Sequence, residues 1–143
     1  MHHTRRILIA LIVLFLPWTA ALSANTIDFL IDDIEIFYDG AFQPEKTREI
    51  RFASLGEVLQ IQFLASGNVI RLLEDNDPEG LLCERTTQGV LADEYLCDSP
   101  GGEQMISIRK AARYVYGAVM NYVGPTGWPG DSDYVIRMNL KRK

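Results

Sequence analysis

Apolar and polar residues alternate along several short segments of this chain, which is the pattern of a β-strand with one buried face. The alternation is clearest in Glu57–Leu64, where three apolar residues are separated by Gln60 and Gln62. The same pattern occurs in Arg48–Phe52, Glu103–Arg109 and Tyr134–Leu140, and the short segments Ile34–Tyr38 and Val69–Leu73 are also interpreted as strands. The chain is therefore predicted to be rich in strands.

Turn residues separate the first of these segments. Ser54-Leu55-Gly56 and Ser66-Gly67-Asn68 supply the residue types that tight turns use. Arg48–Phe52, Glu57–Leu64 and Val69–Leu73 are accordingly predicted to form a three-stranded antiparallel meander, in which each strand pairs with the next.

One stretch fits two kinds of element. Within residues 107–123, Ile108, Ala112, Val115, Val119 and Tyr122 fall at helical spacing, and a Gly-Pro pair follows as a stop signal. Its β-branched and aromatic residues, and a glycine in its interior, favour a strand instead. The strand interpretation is preferred here.

The predicted fold is all-β: a small antiparallel β-sandwich of jelly-roll type with one disulfide. The alternative is an α+β fold with a helix at about residues 107–123. The chain of 143 residues is long enough for one domain with its own core. Cys83 and Cys97 are the only cysteines and are predicted to form that disulfide, which persists in an oxidising compartment.

The N-terminus has the pattern of an export signal. Thr4-Arg5-Arg6 precedes the apolar run Ile7–Trp18, and small residues follow up to Ala24. The run is shorter than the roughly 20 apolar residues that a membrane-spanning helix needs. Residues 1–23 are therefore predicted to be a cleaved signal peptide and residues 24–143 a single β-rich domain that works in the periplasm or outside the cell, with no stable membrane span after cleavage.

Removal of residues 1–23 changes the chemistry available. Both histidines lie in that segment, so the mature chain lacks the usual general base of serine and cysteine hydrolases. Loss of Arg5 and Arg6 leaves 12 of the 14 basic residues against 19 acidic ones, a formal charge of −7. This acidic balance disfavours nucleic acid as a partner.

Two loops carry candidate binding residues. Asp75, Asn76, Asp77 and Glu79 bring together oxygen ligands of the kind that Ca²⁺ prefers, although their spacing is not that of an EF-hand and an acidic surface turn is the alternative. The Gly/Pro-rich loop 124–133 holds Trp128, with Asp131 and Asp133 as polar companions. An exposed tryptophan there would contact a protein or glycan, and a buried one would cover an end of the fold.

From Leu55 to Met138 the order of features resembles the bacterial pre-peptidase C-terminal domain. The matching segments are Leu55–Ile61, Gly67–Asp75, Arg113–Tyr116 and Asp133–Met138. The resemblance implies a small calcium-associated β-sandwich. The family typically has Asp-x-Asp-Leu near its third strand, whereas this chain has Asn68-Val69-Ile70, so a metal site is not carried over to that position.

These observations favour an exported, non-catalytic binding module that recognises a protein or glycan, with structural calcium as an additional hypothesis. An inhibitor of, or interaction factor for, a secreted or envelope hydrolase is the alternative. A carboxylate-based glycosidase is a third class, but the acidic pairs Asp32-Asp33 and Asp93-Glu94 would point to opposite faces of a strand.

Overall fold

The structure, a computed structural model, describes residues 25–74, 77–99, 102–112, 114–124 and 134–143. These residues form nine strands, one α-helix and a 3-10 turn at Ala65–Gly67. The strands are β1 (Asn25–Tyr38), β2 (Ala41–Phe42), β3 (Val58–Leu64), β4 (Val69–Glu74), β5 (Asp77–Gln88), β6 (Ala92–Ser99), β7 (Gly102–Ala111), β8 (Tyr114–Gly124) and β9 (Tyr134–Arg142). The helix α1 spans Pro44–Ser54, between β2 and β3.

All strand pairings are antiparallel, and the sheet closes on itself. From β3 to β9 each strand pairs with the next, and β1 pairs with both β3 and β9. The β1–β9 register runs from Phe29 opposite Arg142 to Tyr38 opposite Tyr134. The all-β antiparallel prediction is confirmed, and the eight long strands form one closed barrel rather than two packed sheets.

The core fills the inside of this barrel. It includes Phe29, Ile61, Ile70, Ile106 and Ile108, each at most 1% exposed. Apolar and polar residues alternate because a strand directs successive side chains to opposite faces. The predicted strands at 34–38, 57–64, 69–73, 103–109 and 134–140 all coincide with strands apart from Glu57, which directly precedes β3.

The predicted disulfide is confirmed. Cys83 in β5 and Cys97 in β6 lie directly opposite each other and are bonded through sulfur. Both are buried in the core, so the disulfide links the neighbouring strands β5 and β6 from inside the barrel.

The strand predicted at Arg48–Phe52 is wrong, because this segment lies within α1. Pro44 occupies the start of the helix, where its missing N–H costs nothing, and Glu45 and Arg51 suit the partial charges of the first and last turns. Ile50 packs against the core residues of β1 and β9, whereas Phe52 is 96% exposed. The meander consequently begins with β1 rather than with Arg48–Phe52.

The helix supplies hydrogen-bond partners for backbone groups of β1 that do not pair with β3. The N–H of Ile36 donates to Thr47 Oγ1 at 3.1 Å, and the carbonyl of Ile34 accepts from Arg51 Nε at 2.9 Å. The carbonyl of Ile36 accepts from the N–H of Gln43 at 2.8 Å. Since unpaired backbone groups are costly inside a protein, these contacts fix α1 against the barrel.

Residues 107–123 are not helical in the described part of this stretch. They belong to β7 and β8, which confirms the preferred strand interpretation. At Gly117 a Cβ atom would lie 2.8 Å from the carbonyl oxygen of Leu140, so the absence of a side chain permits the close approach of β8 and β9.

Candidate ligand-binding cavity

The two ends of the barrel differ in the residues found there. We call the end at which β3, β5, β7 and β9 begin the helix end, because α1 leads into β3 there. At the opposite end, the hydroxyl of Tyr95 donates to the carbonyl of Gly67 at 2.7 Å. Lys110 Nζ and Asp93 Oδ1 form a largely buried ion pair at 2.8 Å. These polar contacts link neighbouring strands and turns at this end, which we call the Tyr95 end.

The buried phenol of Tyr95 makes the hydrogen bond to Gly67 at this end. The Tyr95 side chain is 1% exposed, and burial raises the pKa of its phenol above the usual value of 10.0, with a further contribution from the charge of Asp93. Burial disfavours the charged phenolate. The phenol is consequently held neutral and acts as a hydrogen-bond donor.

The helix end contains a cavity of about 350 Å³ that is continuous with the core. Its apolar lining comprises Ile31, Leu59, Met120 and Met138, which belong to or pack against the main core cluster, and Val58, which is 38% exposed. Met120 in β8 and Met138 in β9 are directly paired across the two strands. An eight-stranded barrel is just wide enough for side chains to fill or for one small ligand to occupy. Here the helix end keeps free space beside the core, and a separate hollow of about 470 Å³ lies near the other end, where β1 begins and β9 ends.

Polar groups surround the opening of this cavity. Ser54 at the end of α1, Glu57 just before β3 and Glu74 at the end of β4 also line it. The backbone of Glu57 is held in place because its carbonyl accepts from the N–H of Ile31 at 2.9 Å. Within the described residues, the carboxylates of Glu57 and Glu74 have no hydrogen-bond or ion-pair partner. The cavity thus combines an apolar floor with two free negative charges at its rim.

A second concave feature lies on the outside of the barrel. Leu82, Leu96 and Met105 are 50%, 41% and 40% exposed and form what we call the outer-wall patch. Leu96 pairs with Met105 across β6 and β7, and Leu82 lies on the neighbouring β5. A hollow of about 600 Å³ beside this patch also includes Glu84 and Glu103. Arg85 lines the hollow too, so the outer wall carries an apolar strip with a charged margin.

The calcium prediction is only partly covered by the described residues. Asp77 and Glu79 are exposed at the start of β5, whereas Asp75 and Asn76 lie outside the described residues. Asp77 Oδ1 accepts the backbone N–H groups of Glu79 at 3.1 Å and Gly80 at 3.2 Å, which is the geometry of an acidic turn. In the part of the chain that is described, no three acidic, cysteine or histidine side chains come together as metal ligands. Calcium binding stays a prediction.

Other predicted residues also fall outside the described ranges. The structure does not describe the predicted binding residues Trp128, Asp131 and Asp133. The predicted signal peptide, residues 1–23, also lies outside the described ranges. The described residues that flank the tryptophan loop, Gly124 and Tyr134, are paired at the helix end of β8 and β9. Contact of this loop with a protein or glycan stays a prediction.

The acidic pairs considered for catalysis have structural partners in the barrel. Asp33 forms an ion pair with Arg51 at 2.8 Å, and Asp93 pairs with Lys110. These contacts tie α1 to β1 and β6 to β7 rather than bringing two carboxylates together across a cleft.

The cavity residues were not singled out in the sequence. Met138 follows the strand alternation and Met120 lies in the apolar run Ala118–Met120, so the sequence does not distinguish either from an ordinary core residue. Glu57 and Glu74 lie at strand boundaries, where charged residues are ordinary. Only barrel closure brings these residues together.

No protein-family model, curated protein or solved structure matches the chain. In the residues that the structure describes, no helix has the length and apolar character required to cross a membrane. The resemblance to the pre-peptidase C-terminal domain stays a prediction.

Proposed function

We propose that this protein is a non-catalytic binding module that holds one small, partly apolar ligand in the cavity at the helix end of the barrel. The observation that carries the proposal is the cavity at the helix end, which joins apolar core side chains to a polar opening. About 350 Å³ of space there is lined by five apolar residues, four of which belong to or pack against the main core cluster, and by Ser54, Glu57 and Glu74. Small-molecule sites are typically concave, largely apolar and about 300–1,000 Å³ in volume.

The lining suits binding rather than bond breaking. Met120 and Met138 have flexible, polarisable side chains that adapt to the shape of an apolar ligand. Burial of apolar ligand surface contributes roughly 25 cal/mol per Å² before the costs of association are subtracted. The hydroxyl of Ser54 and the carboxylates of Glu57 and Glu74 supply polar contacts that orient the ligand at the opening.

An exported setting is part of this proposal. The N-terminal pattern of a basic residue pair, an apolar run and small residues supports it. The Cys83–Cys97 disulfide also supports it, because such bonds persist in oxidising compartments.

The test uses a neutral apolar probe, N-phenyl-1-naphthylamine, whose fluorescence rises in an apolar site. The protein is expected to bind one equivalent. Met138→Trp, which puts a larger side chain into the cavity, should weaken binding at least about tenfold, the equivalent of about 1.4 kcal/mol. Met105→Trp is the matched control, because the same substitution is made on the outer wall. Absence of a saturable single site, or equal effects of the two substitutions, would contradict the proposal.

Recognition of a protein partner is the second candidate function, and the outer-wall patch favours it. Exposed apolar strips with a polar margin are typical of protein-binding surfaces. A hydrolase inhibitor or other interaction factor would use this patch. A pull-down from an envelope fraction should then recover a stoichiometric partner that Leu96→Glu abolishes and Thr87→Glu, on an exposed position of β5, leaves bound. Retention of the partner by Leu96→Glu would exclude this surface.

A further inference from the structure

We propose that the ligand of the helix-end cavity is a small amphipathic organic cation, with its apolar part among the methionines and its positive head group between Glu57 and Glu74. This inference rests on the proposed function, since it names the chemical class of ligand for the same cavity. It concerns a free small molecule, because the cavity of about 350 Å³ is near the lower limit for ligand sites and lies at one end of a closed wall of strands.

The sign of the charge follows from the rim. Glu57 and Glu74 are the charged residues among the described side chains that line the cavity, and both are acidic. Their carboxylates have no ion-pair partner within the described residues. Arg51, a basic residue on the neighbouring helix, is already paired with Asp33 at 2.8 Å and with the carbonyl of Ile34. An anionic ligand would therefore meet two uncompensated negative charges, whereas a cation would neutralise them.

The depth at which the charge sits follows from burial. Glu57 and Glu74 are exposed, whereas Leu59 and Met120 are 5% and 6% exposed. A positive group placed among the buried side chains would lose its hydration without a partner, at a high cost. At the rim it keeps part of its water and still faces both carboxylates. The carboxylates are exposed at the opening and the apolar side chains are buried below them. This arrangement matches a ligand that is charged at one end only.

The test compares three probes with the same eight-carbon chain: octyltrimethylammonium, octanol and octanoate. The cation is expected to bind about tenfold more tightly than octanol, since each exposed ion pair contributes a factor of a few, and octanoate is expected to bind more weakly than octanol. The preference for the cation should shrink as salt rises from about 0.01 M to about 1 M, because exposed charges are screened.

The substitutions Glu57→Gln and Glu74→Gln, made together, should remove the preference for the cation, so that octyltrimethylammonium and octanol bind about equally well. Glu84→Gln and Glu103→Gln, made together beside the outer-wall patch, change the net charge equally and should leave the preference intact. If octanol binds and octyltrimethylammonium binds no better, the cation inference is overturned and the cavity proposal stands. If none of the three probes binds, both are overturned.

Discussion

Replacement of Thr47 by valine tests whether α1 is held on the barrel by its contacts with the edge of β1. Thr47 is 1% exposed, and its Oγ1 accepts the N–H of Ile36, a residue with no exposed surface. Valine has nearly the same shape and a similar helix propensity, so the change removes the hydrogen-bond acceptor and little else.

The expected loss of stability follows from the group left behind. The N–H of Ile36 points toward α1, and β3 does not reach it, because the β1–β3 pairing covers only Asn25–Leu30. A buried donor without a partner costs about 1–3 kcal/mol. With a urea dependence of about 2 kcal/mol per M, the midpoint of unfolding should fall by about 1 M.

Urea unfolding followed by circular dichroism measures this loss. Thr47→Ser keeps the hydroxyl and loses only a methyl group, so it should cost about 1 kcal/mol. Thr87→Val, at an exposed position of β5, should stay within about 0.5 kcal/mol of the unmodified protein. A result in which Thr47→Val is milder than Thr47→Ser would show that packing, and not the hydrogen bond to β1, holds the helix.

Three further predictions concern the disulfide, the hydrogen bond of Tyr95 and the acidic turn. Replacing Cys83 and Cys97 with alanine should lower the free energy of unfolding by about 3 kcal/mol on the chain-entropy model, and equal melting temperatures with and without the bond would contradict this. Tyr95→Phe should cost about 1 kcal/mol near neutral pH through loss of the bond to Gly67. The folded-state pKa of Tyr95 lies above the unfolded value of about 10, so the unfolded chain loses its proton first as the pH rises. The free energy of unfolding should therefore fall above about pH 10 in the unmodified protein and fall less steeply in Tyr95→Phe. Parallel curves of unfolding free energy against pH for the two proteins would refute the assignment. If the loop containing Asp77 binds calcium, millimolar Ca²⁺ should raise the melting temperature, and Asp77→Asn, which keeps an acceptor for the turn, should remove that rise; an unchanged melting temperature in the original protein would exclude the site.

The strand content was predictable because it depends on local alternation. Glu57–Leu64 and Tyr134–Leu140 display one apolar face each, and both correspond to strands, β3 beginning at Val58. The strand prediction for Arg48–Phe52 is wrong because, over so few residues, the positions of Ile50 and Phe52 fit a strand as well as a helix. The start signal at Pro44 and the charges of the first and last turns were the information that favoured a helix.

Barrel closure and the cavity were not predictable in the same way. Closure depends on the pairing of β1 with β9, which joins the two ends of the described chain. No local pattern specifies that partner, and alternating strands suit a sandwich or a barrel equally. The cavity depends on unfilled space between Met120 and Leu59. No single residue in the sequence specifies such a space.

Methyl NMR of protein labelled at its methionine methyl groups tests the central proposal most directly. The chain has methionines at positions 1, 105, 120 and 138. Met120 and Met138 line the cavity, whereas Met105 lies on the outer wall and serves as an internal control. On titration with octyltrimethylammonium, the Met120 and Met138 signals should shift together and saturate with one dissociation constant while the Met105 signal stays in place. Shifts confined to Met105, or unsaturable shifts of all three, would contradict a ligand site inside the barrel.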